Sequence, residues 1–303
     1  MENKIICLKC KGEHIKKDGK RKTENRGFIQ RYKCKDCSHR FILDDGFKRM
    51  RNHPKKITCA LDLFYRGIST RKVQEHFKAF YPHNSSHKSI YNWVVKYSKV
   101  ISKFTDSLKL KVGQEIQLDE MEYSRRKYSN KKGVDRNWFI DCIDTRTRFM
   151  VSSEFVRGRE QEEIKQVLKR AKDKTEEQIK VITTDGLLAY PYAIQKTFTL
   201  IDKSNTRKFG VRHNQVNASK GEGFNIMIER LHNNIRQRTK TFRGFHGSID
   251  SANAIMKGWE IYYNFITKHQ TLKRCPYELA TDLKLNSENK WLDLIKLAKL
   301  TSS

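Results

Sequence analysis

The chain of 303 residues carries 63 lysines and arginines against 34 aspartates and glutamates, a net charge of +29 at neutral pH. Hydrophobic residues make up 37% and aromatics 11%, enough for real cores and too much for wholesale disorder. No run reaches the roughly 18 uninterrupted apolar residues of a transmembrane helix, and the first residues lack a signal peptide's apolar stretch. The expectation is a cytoplasmic, nucleoid-associated protein that meets a polyanion, because so large a charge excess repels itself and attracts nucleic acid.

The first module is written in cysteines. Cys7-Leu8-Lys9-Cys10 and Cys34-Lys35-Asp36-Cys37 form two C-x2-C pairs with 23 residues between them. Each pair can present two sulfurs to one ion, and two such knuckles complete a tetrahedral Zn2+ site. Gly27 to Tyr32 reads as a strand entering the second knuckle, and Phe41-Ile42-Leu43 as another. The spacing predicts a zinc ribbon over 1–47; a redox pair or two disulfides are the other arrangements it allows. Residues 1–56 hold 18 basic and 7 acidic side chains, so a nucleic-acid contact is expected here as well. Cys59, Cys142 and Cys275 stand apart and read as ordinary buried thiols.

Residues 48–108 read as three short helices. Pro54 opens the first, with Ile57, Ala60, Leu61 and Phe64 at helical spacing and Gly67 just past its end. Ser69 or Thr70 caps the second, which turns Val73 and Phe77 inward. After a polar break at 82–86, the third carries Ile90, Trp93, Val94, Tyr97 and Ile101 on one stripe. Its opposite face offers Lys88, Asn92 and Lys96, a set suited to a major groove. A helix-turn-helix is the expectation, and a plain helical packing unit with a solvated basic face is the alternative.

From about residue 109 the pattern changes to an α/β one. Glu115 to Tyr123 alternates as a strand does, and 138–143 and 148–151 follow as two more strands. Glu160 to Lys172 reads as an amphipathic helix, and Lys180 to Asp185 as an apolar strand ending in a carboxylate. Acidic residues at such strand ends face the ligand crevice of an open sheet. A helix from about Gly223 to Lys240 buries Phe224, Ile228, Leu231 and Ile235. Beside them Asn225, Glu229, His232 and Arg236 form a polar stripe, which leads to Arg238 and Lys240. His232 is expected on the helix surface, either as a plain exposed histidine or in contact with DNA or the scissile phosphate, and Glu120 on the opposite strand face from Asp119.

The order Asp119, Asp185, Glu229 resembles the catalytic triad of DDE transposases and integrases with a ribonuclease-H-like core. Leu118-Asp119-Glu120, Thr183-Thr184-Asp185-Gly186 and Asn225 ahead of Glu229 strengthen that likeness. Phe242-Arg243-Gly244-Phe245, Tyr263-Asn264-Phe265-Ile266 with His269, and Cys275 to Ala280 look like the tail of prokaryotic insertion-sequence transposases, family six above all. The resemblance runs over about 54–280. The Asp185-to-Glu229 gap of 44 positions is longer than expected of that family, which leaves Glu222 as a fallback. The ribbon is an addition to the shorter members.

The resemblance implies a ribonuclease-H-like α/β catalytic core over 109–270, with a helical tail over 271–303. It implies an enzyme that binds the ends of an insertion sequence, cleaves DNA 3′ ends and joins them to target DNA. Asp119, Asp185 and Glu229 would hold two Mg2+ or Mn2+ ions roughly 3.5–4 Å apart, since hard oxygen ligands favour those ions. Arg236, Arg238 and Lys240 would then touch double-stranded DNA, held by a homodimer or larger assembly. Two other functions fit the same sequence: a non-catalytic DNA-binding regulator, and a structure-specific nuclease. Asp141, Asp144 and Glu120 are weaker carboxylate candidates. The tail helices, with Trp259, Tyr262 and Ile266 and then Trp291, Leu294 and Ile295, read as packing elements.

Overall fold

The structure, a computed structural model, describes residues 5–24, 26–81, 85–126, 134–201, 207–216, 225–240, 245 and 247–301. Its first unit is a three-stranded antiparallel sheet of β1 (Ile15–Thr23), β2 (Gly27–Cys34) and β3 (Arg40–Phe41). Gly27 closes the β1–β2 turn with φ +67°, a left-handed conformation that costs glycine nothing. This sheet buries little: Cys7, Cys34 and Phe41 make its core, with Ile5, Ile15 and Tyr32 against them.

Three helices follow: α1 (Pro54–Tyr65), α2 (Thr70–Phe80) and α3 (His87–Asp106). Their ends are those the sequence signals. His53 and Ser69 accept backbone N–H bonds as N-caps, and Gly67 takes φ +93° past α1. Ile57, Leu61, Phe77, Ile90, Tyr97 and Ile101 are all fully buried. They do not close a separate core. Instead α3 packs along α7 (Ile249–Ile261) and α9 (Lys290–Thr301), so one apolar cluster runs from these helices into the sheet beyond. Gly258 makes the close approach possible, since a Cβ there would lie 1.8 Å from the Tyr65 hydroxyl. Tyr65 in turn stacks on Trp291 of α9.

The main sheet has five strands in the order β10-β7-β4-β5-β6. These are β4 (Glu115–Arg126), β5 (Val134–Asp144), β6 (Met150–Val156), β7 (Val181–Thr184) and β10 (Arg212–Gln215). β4, β7 and β10 run parallel, whereas β5 and β6 run antiparallel to β4 and β5 respectively. This mixed α/β sheet is consistent with the ribonuclease-H-like core the sequence implied. Outside it, β8 (Thr199–Ile201) and β9 (Arg207–Phe209) form a small ribbon. Helices α4 (Gln161–Thr175) and α5 (Ala189–Phe198) follow β6 and β7, while α6 (Ile226–Thr239) lies on β4 and β5. The face on which α6 and α7 lie carries Asp119, Asp141 and Ser153 side by side across three strands. Under α7, Ser153 donates to Glu260 at 2.6 Å, and Lys257 pairs with both Glu260 and Asp106 of α3. Each buried charge therefore has a partner, as low-dielectric burial demands.

Several boundaries differ from the sequence reading. The third strand begins at Met150 rather than 148, because Arg148 takes φ +59° in the turn that Asp144 organises. Asp144 accepts from the N–H groups of Gly113 and Thr147, so it is a turn-capping residue. The helix through Ile255 and Trp259 does not continue regularly; Tyr262–Ile266 forms a π-helical turn ahead of α8 (Tyr277–Ala280). Cys142 and Cys275 are buried as expected, but Cys59 is only half-buried. Glu222 and the Phe242–Gly244 stretch lie outside the described residues.

Candidate metal centre and nucleic-acid interface

The parallel pairing of β4 with β7 stops at Gln117 opposite Thr183. Just beyond the end of that pairing, Asp119 within β4 and Asp185 at the carboxyl end of β7 come together where the two strands part. Carboxylate oxygens of Asp119, Glu120 and Asp185 lie within 4.8 Å of one another. Glu120 departs from the sequence expectation. Its backbone does face the other side of the sheet, where Arg159 holds it at 2.7 Å and Tyr190 of α5 donates a short hydrogen bond. Its longer side chain nonetheless keeps a carboxylate oxygen within 4.8 Å of those of Asp119 and Asp185.

Electrostatics make this a site that favours a cation. Burial raises the Asp185 pKa, and the Asp119 charge adds to the effect against a backbone N–H from Leu187. Burial likewise raises Glu120, with Tyr190 and Arg159 working the other way. Like charges this close share a site comfortably only with positive charge among them. Among the described residues, these three carboxylates and the four cysteines form clusters able to ligate an ion. The carboxylate set suits a hard divalent ion.

Glu229 is not in that cluster. It stands exposed in the first turn of α6, whose regular structure starts at Ile226 rather than near Gly223. The same helix is nonetheless fixed over Asp119. Gln117 accepts the N–H groups of Met227 and Ile228 at 2.9 and 3.2 Å, and Tyr123 meets Thr239 at 3.0 Å. Between those clamps sits His232, one turn along from Glu229.

His232 is the main correction to the sequence reading. It is a buried residue, with Nδ1 3.3 Å from Asp119 and Nε2 2.8 Å from Asp141. Burial alone would lower its pKa, but Asp141 and Asp119 overcome that and hold it up at about 9. Asp141 is fully buried, and burial raises its pKa against the pull of His232. Sequence reasoning missed Gln117, Tyr123 and the Asp141–His232 pair. The signal was present: Gln117, Asp119 and Tyr123 alternate on one face of β4, so three polar groups point where a core should lie.

In the N-terminal sheet, Cys7, Cys10, Cys34 and Cys37 come together as the spacing predicted. Cys7–Cys37 and Cys10–Cys34 sulfurs are each 3.6 Å apart. Tetrahedral Zn–S bonds of about 2.3 Å place sulfurs roughly 3.8 Å apart, so the geometry fits that ion. Backbone N–H groups of Cys10 and Lys9, assisted by Cys37, bring Cys7 down to about 6, against the burial that raises it.

The residues expected to touch DNA fall on two helices. Lys88, Asn92 and Lys96 share the exposed side of α3, with Lys88 and Lys96 lying over Tyr91 and Tyr97. Arg236 and Lys240 are exposed on α6. Arg238 is half-buried instead, packed over Trp259 and Tyr262 and bonded to Asn234. No described helix is long and apolar enough to cross a membrane.

No curated protein matches the chain. Residues 135–270 match the family model of a DDE domain, DDE_Tnp_IS240, a stretch that contains Asp185 and Glu229 and begins after Asp119; the match supports an insertion-element DDE transposase that uses divalent metal.

Proposed function

We propose that the protein binds the ends of an insertion sequence, cleaves DNA 3′ ends and joins them to target DNA. The observation that carries this reading is the convergence of Asp119 and Asp185 where the parallel strands β4 and β7 part, next to a helix bearing Glu229, in a chain with a DDE domain match. Asp119, Asp185 and Glu229 are the catalytic and metal-holding residues in this reading. Mg2+ or Mn2+ bound there would polarise the scissile phosphate and make the attacking oxygen more acidic. His232 holds Asp119 in place and Asp141 holds His232, a carboxylate–histidine support of the kind that fixes metal ligands. Arg159 restrains Glu120 and keeps a guanidinium beside the crevice, where a phosphate's charge is welcome.

The four-cysteine sheet is a zinc ribbon that contacts DNA, and α1–α3 a helix-turn-helix that reads the ends through Lys88, Asn92 and Lys96. Arg236 and Lys240 bind the backbone beside the crevice, with Arg238 of the same helix braced against Trp259 of α7. A homodimer would pair two ends in the cytoplasm, at the nucleoid.

The test is incubation with Mg2+ and labelled DNA carrying the element's ends. Strand-transfer products that vanish in Asp185→Asn support the reading. Cleavage without joining indicates a nuclease, and binding without cleavage indicates a regulator.

A further inference from the structure

A second basic site lies on the side of α6 turned away from Glu229. Here a cavity of about 430 Å3 is walled by Arg230 and Asn234 of α6, by Arg148 from the β5–β6 turn, and by Thr267, Lys268 and His269 after the π-helical turn. Among the described residues, no carboxylate lines it. Three cations therefore converge on a concave surface without a lining counter-charge, an arrangement that repels itself until an anion enters.

Two buried groups in these walls lack a hydrogen-bond acceptor or donor of their own: Arg148 Nη1 and Thr267 Oγ1. Unmet buried donors are costly, and a guanidinium matches the geometry of phosphate oxygens. His269 adds a fixed donor. Its Nδ1 accepts the backbone N–H groups of Thr271 and Leu272, which leaves the proton on Nε2. The cavity is also built rather than incidental. Asn264 clamps the backbone of Met150 through both a donor and an acceptor bond, at 2.9 and 2.8 Å. That clamp ties the π-helical turn to the start of β6, and so sets Arg148 opposite Lys268 and His269. The Tyr263-to-Ile266 and His269 segment, prominent in the sequence but outside the catalytic centre, thereby gains a role.

We infer that this cavity is a phosphate-binding site that grips a backbone phosphodiester of the DNA on the side of α6 opposite the carboxylates. The inference rests on the proposed DNA-handling function. It adds an anchor on the far flank of α6, so that DNA is held on both sides of the helix that carries Glu229.

The test uses the full chain and a DNA duplex, with affinity measured across a salt series. Arg230→Gln/Lys268→Gln alters exposed side chains and leaves folding intact; Arg148→Gln probes the buried donor. Removing a phosphate contact should lower the salt slope by about one and weaken binding several-fold at fixed salt. Lys169→Gln, an exposed charge on α4 across the sheet, should leave the slope unchanged. Wild-type slope and affinity in both cavity variants would overturn the inference while sparing the proposed function. A wild-type protein that binds no DNA would overturn both. Calorimetry with inorganic phosphate forms the second arm. Uptake by the wild type and not by Arg148→Gln, with unchanged DNA slopes, would make the cavity a free-anion site and overturn the DNA assignment.

Discussion

The four-cysteine ribbon and the carboxylate crevice both gather anionic ligands, yet they stand on different ground. The ribbon has Cys7, Cys34 and Phe41 for a core and three short strands around them. The crevice sits on a five-stranded sheet whose buried side chains continue through α7 into α1–α3. In the proposed reading a metal in the first place would supply folding energy, and in the second it would supply chemistry. The carboxylates are pre-set by protein contacts, through His232, Arg159, Tyr190 and the Leu187 N–H.

Metal removal is the sharpest way to break that comparison. Stripping Zn2+ with a chelator, or making Cys34→Ser, should cost the ribbon on the order of 10 kcal/mol and unfold it. Amide exchange should show β1 and β2 opening while β4 and β5 stay protected. Metal analysis of the purified chain should find one zinc per protomer. In the crevice, Asp185→Asn should lower the rate of DNA cleavage by about 10³-fold, with an unchanged melting temperature. His232→Gln or Asp141→Asn should weaken divalent-ion binding by about 10–100-fold, read by titration calorimetry with Mn2+. Smaller still, Gly258→Ala should destabilise the packing of α1 and α3 on α7 by about 1–3 kcal/mol, since its methyl would meet Tyr65. Thermal unfolding measures that directly.

The same contrast explains what could be read from sequence. The cysteine pairs have a short, fixed spacing, so their meeting was legible, as were the caps at Ser69 and Gly67. The places of Asp119 within a strand and of Asp185 just past the end of another were legible for the same reason, since alternation and a turn residue mark them. His232 was not, because one helix turn looks the same whether it faces water or Asp141 across the sheet. That distinction depends on how Gln117 and Tyr123 dock α6, contacts more than a hundred residues apart in sequence. Glu120 was misjudged because pleat geometry fixes where Cβ points and not where a long side chain ends.

In the proposed mechanism Glu229, and not Glu120, which lies nearer, completes the catalytic set with Asp119 and Asp185. The direct measurement is 3′-end cleavage by Glu229→Gln and Glu120→Gln under identical Mg2+ and DNA conditions. Glu229→Gln should abolish cleavage, while Glu120→Gln should retain it within about tenfold, as befits a positioning residue. Cleavage retained by Glu229→Gln and lost by Glu120→Gln would contradict that mechanism.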